Sequence, residues 1–289
     1  MQAQNGAVIV ISSHVIRGAV GNRAAVFALE SMGHPVWAFP TIVLPWHPGH
    51  GPSTRLHHPV ADFEMAIDDL IRAPWLGEVK AVLSGYFGHA GQPAAVAKLI
   101  KALKQRNPEM LYVCDPVIGD TGGLYVPQAI AEAIRTDLMP LADLITPNRH
   151  ELAWLSGESV DSNAQIVQAV RKLGTSRALV TSAIPMMNAA IGNLFVTEKR
   201  VFLCEHRLVD NPPNGLGDLL SAVFLSRLMS GMDEEEALRL ATASIFEILA
   251  RTSAEGSDEL ILPAHALSLQ SPMAGVQMRQ IVHSAKRSA

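Results

Sequence analysis

The sequence predicts an α/β protein with a mostly parallel central sheet and helices on both of its faces. Three observations predict it. Short β-branched runs alternate with longer stretches of helical period, the pattern of a parallel sheet covered on both sides. Of the 289 residues, 48% are apolar and 17% charged, which supplies a sizeable core and excludes intrinsic disorder. Polar residues close nearly every apolar run, at the strand ends where open α/β sheets bind ligands.

In chain order, the strands fall at residues 7–12, 36–42, 79–84, 110–114, 144–146 and 178–181. Helical period places helices between them at 23–32, 62–71, 92–105, 128–135, 149–155 and 163–173. Two further short strands, 193–196 and 201–204, read as an antiparallel pair around the polar turn 197–200. Two strong helices follow at 218–229 and 233–251. Asp233 serves as N-cap of the second, with Glu234, Glu235 and Glu236 placed favourably in the dipole field of its first turn. Residues 253–289 are polar, carry a basic stretch at 279–287 and read as a helix with a frayed end. No linker rich in Gly, Pro or Ser, no internal repeat and no low-complexity tract interrupts the chain, so 1–289 is expected to be one domain.

Composition narrows the function. With 23 basic and 27 acidic residues the net charge is −4, so no global basic field exists to hold nucleic acid or an anionic membrane. Cys114 and Cys204 stand far apart in no CxxC spacing, which speaks against a disulfide framework or a zinc knuckle and suits a reducing compartment. The polar start, residues 1–5, lacks a basic signal-peptide region, and the apolar run after it is too short to span a bilayer. A cytoplasmic protein is expected.

The most specific local signal is Asn214-Gly215-Leu216-Gly217-Asp218, which follows the breaker Pro212-Pro213 and opens an apolar helix. Two glycines let backbone N–H groups approach a ligand, and a helix start adds unsatisfied donors and positive potential. Such a turn cradles an anion. Asp218 there is either an N-cap or a base that takes a proton from an alcohol attacking a phosphoryl group. No GxxxxGK[ST] and no strand-linked GxGxxG occurs, which removes the main support for a P-loop or a dinucleotide fold. His150-Glu151 begins like a zinc-protease helix but Trp154 stands where the second His is needed. His47, His50, His57 and His58 crowd a Pro/Gly-rich stretch and read as a solvated or substrate-covering loop rather than a metal site.

Taken in order, six strings resemble the pyridoxal kinases of the ribokinase-like superfamily: SHVIRGAVGNR at 13–23, SGY at 84–86, CDPVIGD at 114–120, TPNRHE at 146–151, VTS at 180–182 and GLGD at 215–218. The resemblance implies a ribokinase-like three-layer α/β/α fold. It further implies ATP-dependent phosphorylation of the 5′-hydroxymethyl group of pyridoxal, pyridoxine or pyridoxamine, with Mg²⁺, and in addition a monovalent cation, accompanying the nucleotide. It implies Asp218 as the base and the N–H groups of Gly215, Leu216, Gly217 and Asp218 as the anion hole. By the same pattern Asp115 and Asp120 lie by Mg²⁺ and the phosphates, and Glu151 with Asn148 organises metal-bound water. Thr146, Thr181 and Tyr125 contact the nucleotide phosphates, Tyr125 on a flexible segment, 119–126, that can close over them. On the acceptor side it implies Ser13 bonded to the pyridine ring, Val15 and Tyr86 as walls, and Thr41 and His47 near the ring. A homodimer is also implied.

The chain departs from the pattern at Trp46-His47-Pro48-Gly49-His50, where many pyridoxal kinases carry Asn-His-Thr followed by a Tyr, and at Ala19, where a larger residue is common. Two alternatives therefore stay open: a kinase acting on hydroxymethylpyrimidine or another small alcohol, and a B6-binding or carrier protein of low turnover.

Overall fold

The computed structural model of the chain describes residues 6–281. Its elements in chain order are β1 (Ala7–Val15), α1 (Asn22–Ser31), β2 (Val36–Leu44), α2 (Val60–Arg72), β3 (Val79–Ser84), α3 (Gln92–Arg106), β4 (Leu111–Cys114), β5 (Gly119–Asp120), β6 (Gly123–Leu124), α4 (Gln128–Ala133) and β7 (Leu144–Ile145). Then follow α5 (Arg149–Ser156), α6 (Asn163–Lys172), β8 (Arg177–Ala183), β9 (Ala190–Thr197), β10 (Val201–Arg207), α7 (Leu216–Met229), α8 (Glu234–Ala254), α9 (Leu267–Gln270) and β11 (Gln277–Gln280).

Nine strands form one sheet in the order β2-β1-β3-β4-β7-β8-β9-β10-β11. The pairings from β2 to β8 are parallel, and those from β8 through β11 antiparallel. Both faces are covered. Val8 and Val10 of β1 pack with Ala24 and Leu29 of α1, Leu219 and Val223 of α7 and Leu238 and Ile245 of α8. Ile9 and Ile11, one residue out of phase, join Phe63 and Ile67 of α2, Val96 and Ile100 of α3, Leu152 of α5 and Ile166 of α6 on the other face. Successive strand side chains point to opposite faces, so a strand buried on both must be apolar at every position, which is why β1 reads as a continuous run.

The described structure corrects the C-terminal expectation. In place of one helix with a frayed end, a four-residue helix, α9, is followed by an edge strand, β11, whose Gln277 to Gln280 pair with Glu205 to Phe202 of β10. Polar β11 carries no apolar alternation, and its place is set by the open edge of β10. Residues 282–289, which hold the rest of the expected basic tail, and the polar start 1–5 lie outside the described residues. The segment expected as flexible, 119–126, is organised as the small antiparallel hairpin β5–β6. No helix among the described residues is long and apolar enough to cross a membrane. Both cysteines are buried free thiols.

Candidate functional site

The parallel strands deliver their C-terminal ends to one edge of the sheet, and the turns that follow them wall a cavity of about 380 Å³. From the sequence-identified set, Ser13, His47, Tyr86, Asp115, Asp120, Tyr125, Thr146, Asn148, Glu151, Thr181, Gly215, Gly217 and Asp218 all line it. Three do not. Val15 is fully buried beneath the cavity beside Ile42 and Leu44. Thr41 is buried too, its hydroxyl donating to the Tyr86 carbonyl at 2.7 Å and its own carbonyl accepting from Gln92 Nε2. Both support the Tyr86 side of the wall from behind. Leu216 packs against the core with α7.

Helix α7 begins two residues earlier than its sequence pattern suggests, because Gly215 takes the left-handed conformation, φ 95°, and turns the chain directly into the helix. Gly215 also has no room for a side chain: a Cβ would stand 2.1 Å from the Ala19 carbonyl oxygen. The consequence falls on Asp218. It lies at the end of the first turn instead of at the cap and makes no bond to its own helix; its Oδ2 accepts from the Gly21 amide at 2.9 Å. Gly21, at φ 55°, sits so close to Ser13 that a Cβ would be 2.3 Å from the Ser13 carbonyl oxygen. The first-turn N–H groups of α7 have no carbonyl ahead of them within the helix, and Gly215, Gly217 and Asp218 of that turn line the same cavity.

Opposite Asp218, the end of β4 supplies Asp115. Its Oδ2 accepts from the Ser221 hydroxyl at 2.9 Å, and that hydroxyl also lies 2.8 Å from Thr146 Oγ1. Val117, two residues on, holds φ at 43°, a conformation a β-branched residue adopts only under constraint from its surroundings. Glu151 lines the same cavity as the acids and also braces the backbone around it. Its Oε1 accepts from the Ile118 and Gly119 amides at 2.8 and 3.3 Å, and its Oε2 from the Asn148 amide at 2.8 Å. Asn148 Oδ1 in turn accepts from His150 and Glu151 N–H at 2.9 Å, and Asn148 Nδ2 reaches the Gly119 carbonyl. Asn148 and Glu151 thus form a capping box on α5 and fasten the 117–119 turn to it. Asn148-x-x-Glu151 carries that pattern in the sequence. Asp120 Oδ1 accepts from the Gly122 amide inside the hairpin.

Burial decides the electrostatics. It pushes the Asp218 carboxyl up to about 6, against the stabilising Gly21 amide. It pushes Glu151 up to about 7, with the three backbone amides opposing. Asp115 rises well above the carboxylate range, through burial first and then through the neighbouring charges of Glu151 and Asp218. Among the described residues no three ligating side chains are grouped closely enough to hold a metal ion by themselves. A hard divalent cation that takes one or two carboxylates and completes its shell with phosphate and water suits such a donor set, and its charge would relieve the repulsion at Asp115.

Elsewhere on the cavity wall, Tyr86 is positioned by its backbone N–H, which donates to Ser12 Oγ at 3.1 Å, and its hydroxyl accepts from Arg55 Nη1 at 3.3 Å. Burial holds the His47 imidazole below its ordinary pKa, toward the neutral form. Arg55 lines this site from outside every marked string, while Gly21, Val117, Asn214 and Ser221 line it or touch its acids with no role of their own assigned from sequence. For Gly21 a signal exists, as a glycine directly before a helix start and within the first of the six strings.

The sequence matches the family described as phosphomethylpyrimidine kinase over residues 76–261. It is 31% identical over 280 residues to pyridoxal kinase PdxY of Corynebacterium diphtheriae, spanning 95% of this chain and 99% of that protein. It is 35% identical to a pyridoxine/pyridoxal/pyridoxamine kinase of Bordetella avium, spanning 89% of each. The fold superposes on pyridoxal kinase from Entamoeba histolytica with a TM-score of 0.88 at 25% identity, covering 96% of this chain and all of that one. On the Leishmania donovani enzyme, solved in complex with ADP and pyridoxamine, the TM-score is 0.90 at 24% identity, with 96% of this chain and 100% of that one covered. Because the matches to these relatives span 89% or more of the chain, the chain belongs to the pyridoxal kinase family and has the ribokinase-like fold.

Proposed function

We propose that this chain transfers the γ-phosphoryl group of ATP to the 5′-hydroxymethyl group of pyridoxal, pyridoxine or pyridoxamine, giving the 5′-phosphate in vitamin B6 salvage. The observation that carries the reading is the placement of Asp218: a half-buried carboxylate at the mouth of a glycine-lined helix start, in one cavity with Asp115 and Asp120. Relatives named for B6 vitamers favour that acceptor over a pyrimidine.

Phosphoryl transfer asks mainly for positioning and for stabilisation of charge spread over the phosphoryl oxygens. In this reading Asp218 accepts the proton of the attacking hydroxyl, and the Gly21 amide keeps its carboxylate aimed. The N–H groups of Gly215, Leu216, Gly217 and Asp218 receive the developing charge. Thr146, Thr181 and Tyr125 hold nucleotide phosphates, and Ser13, His47 and Tyr86 hold the pyridine ring. Asp115 and Asp120 would hold Mg²⁺, with Glu151 and Asn148 shaping the turn beside it; when bound, the ion supplies charge neutralisation on the phosphates. A homodimer acting in the cytoplasm, each subunit a single domain over 1–289, completes the proposal. Sedimentation at the mass of one 31.0 kDa chain would overturn the dimer.

The deciding experiment is an acceptor panel with ATP and Mg²⁺: the three vitamers, hydroxymethylpyrimidine and small sugars, each with wild type and Asp218→Asn. Vitamer turnover that collapses in the variant while vitamer binding persists supports the reading. Faster turnover of the pyrimidine, or weak turnover indifferent to the substitution, overturns it.

A further inference from the structure

The loop that carries Trp46-His47-Pro48-Gly49-His50 is fastened to the rest of the protein in a way its composition explains. Between Leu44 and Leu56 it is rich in Pro and Gly, and its base is closed by reciprocal backbone bonds between Val43 and Leu56. Leu44, His47, Pro48 and Arg55 from this loop wall the cavity. With little apolar surface to anchor it, its position depends on polar ties. At its entry the Leu44 and Pro45 carbonyls accept from the Ile16 and Arg17 amides at 2.9 Å, and further along, among the described residues, two side-chain hydrogen bonds join it to the remainder: Arg55 to the Tyr86 hydroxyl, and His50 Nε2 to Glu259 Oε1 at 2.8 Å, with His50 Nδ1 also 3.7 Å from Asp258 Oδ2.

Glu259 is the less ordinary partner. It belongs to the turn after α8, 209 residues from His50, and its side chain is only 12% exposed. Its other oxygen, Oε2, accepts from the Ala19 amide at 3.2 Å, and Arg17 Nη1 approaches Oε1 at 3.5 Å while Nη2 chelates Asp258 at 2.8 and 2.9 Å. The 17–19 segment it holds is the one whose Ala19 carbonyl leaves no space for a Cβ on Gly215. On the opposite side the loop closes on the same turn, since a Cβ on Gly49 would lie 3.0 Å from Asn214 Nδ2.

We propose that Glu259 is a positioning residue for the acceptor pocket: one carboxylate fastens the covering loop through His50 and the 17–19 segment through Ala19 and Arg17, and so sets the gap between the loop and the anion-binding turn at Gly215. The proposal rests on the functional reading above and extends it to residues that touch no reacting atom. A loop held closed costs less to order when the acceptor arrives, so the latch acts on acceptor affinity and leaves nucleotide binding alone.

The test uses the full chain with His50→Ala, His50→Gln, which keeps an N–H donor, and Glu259→Gln. His50→Ala is expected to raise KM for pyridoxal about fivefold with kcat and KM for ATP within about twofold, and His50→Gln to recover at least half of the loss. In the Glu259→Gln background the same His50→Ala change should add less than about twofold, because the shared contact is already weakened. A pyridoxal KM unmoved by His50→Ala, or equal changes in KM for ATP, overturns the proposal. Failure of the functional reading shows separately, as wild type that phosphorylates no vitamer. The latch is then read from protein labelled with 5-fluorotryptophan, whose four ¹⁹F signals include Trp46 at the head of the loop, assigned with Trp46→Phe. A Trp46 signal moved by His50→Ala with the other three unmoved supports the latch, and an unmoved one overturns it.

Discussion

The Asp218 carboxylate accepts the Gly21 amide hydrogen at 2.9 Å, joining the first turn of α7 to the residue before α1 across 197 positions of chain. That bond aims one oxygen inward at the β1–α1 turn and leaves the other toward the cavity. Replacing Asp218 by Asn keeps an oxygen for the Gly21 amide but removes the proposed base. We expect kcat to fall by about 10²- to 10⁴-fold while pyridoxal binds within a few-fold of wild type, measured by steady-state kinetics beside calorimetric titration.

The same carboxyl sets a pH limb. Burial raises it to about 6, and as the proposed base it takes a proton from the acceptor only when ionised. The active fraction therefore rises as pH passes upward through about 6. The profile of kcat/KM for pyridoxal should fall tenfold per pH unit below that value and level off above it, as free-enzyme ionisation requires. A flat profile from pH 5 to 8 would refute the assignment.

Asp115 lies among like charges and out of water, so its ionised form destabilises the ligand-free fold at neutral pH. For a carboxyl raised above its unfolded value, the folded state retains a proton that the unfolded chain has lost, and stability falls as pH rises through that window. Asp115→Asn removes the charge while leaving an acceptor for Ser221. We expect the ligand-free Tm at pH 7.5 to rise by about 2–4 °C, the gain shrinking as pH falls toward 5, with turnover lowered at least about 100-fold. Differential scanning calorimetry at the two pH values checks it.

Chelation should abolish turnover, and excess Mg²⁺ should restore it. ADP with Mg²⁺ should also raise Tm more than ADP with a chelator, since a ligand that binds only the folded state stabilises it by mass action. Turnover indifferent to the chelator would remove the ion from the proposal.

Gly215 tolerates no side chain. At φ 95°, and with the Ala19 carbonyl oxygen 2.1 Å from where a Cβ would stand, Gly215→Ala must shift either the 17–19 segment or the start of α7. A loss of about 3 kcal/mol in urea unfolding is expected, together with loss of activity. Gly217, where a Cβ would meet open space, provides the contrast: Gly217→Ala should cost far less stability.

Much of the layout could be read from residue order alone. The apolar runs of β1, β3, β4 and β8, the antiparallel pair β9–β10 and the α8 start at Asp233 follow from local composition, because burial on both faces and helix capping leave marks within a few neighbouring residues. Six ordered strings were enough to indicate the family, and the strand-end rule was enough to nominate most of the cavity wall. What tertiary structure alone decided is where carboxylates point and what they hold. Glu151 and Asp218 are both acids beside a helix start, yet one is consumed by three backbone amides and the other, held by a distant glycine amide, stays open to the cavity. Polar β11 became a strand because β10 offered an unpaired edge, and Glu259 reached the covering loop because α8 returned the chain to it. Hydrogen bonds between segments some 200 residues apart carry no local signature, since their partners are chosen by packing that exists only once the sheet and its two helical layers are assembled.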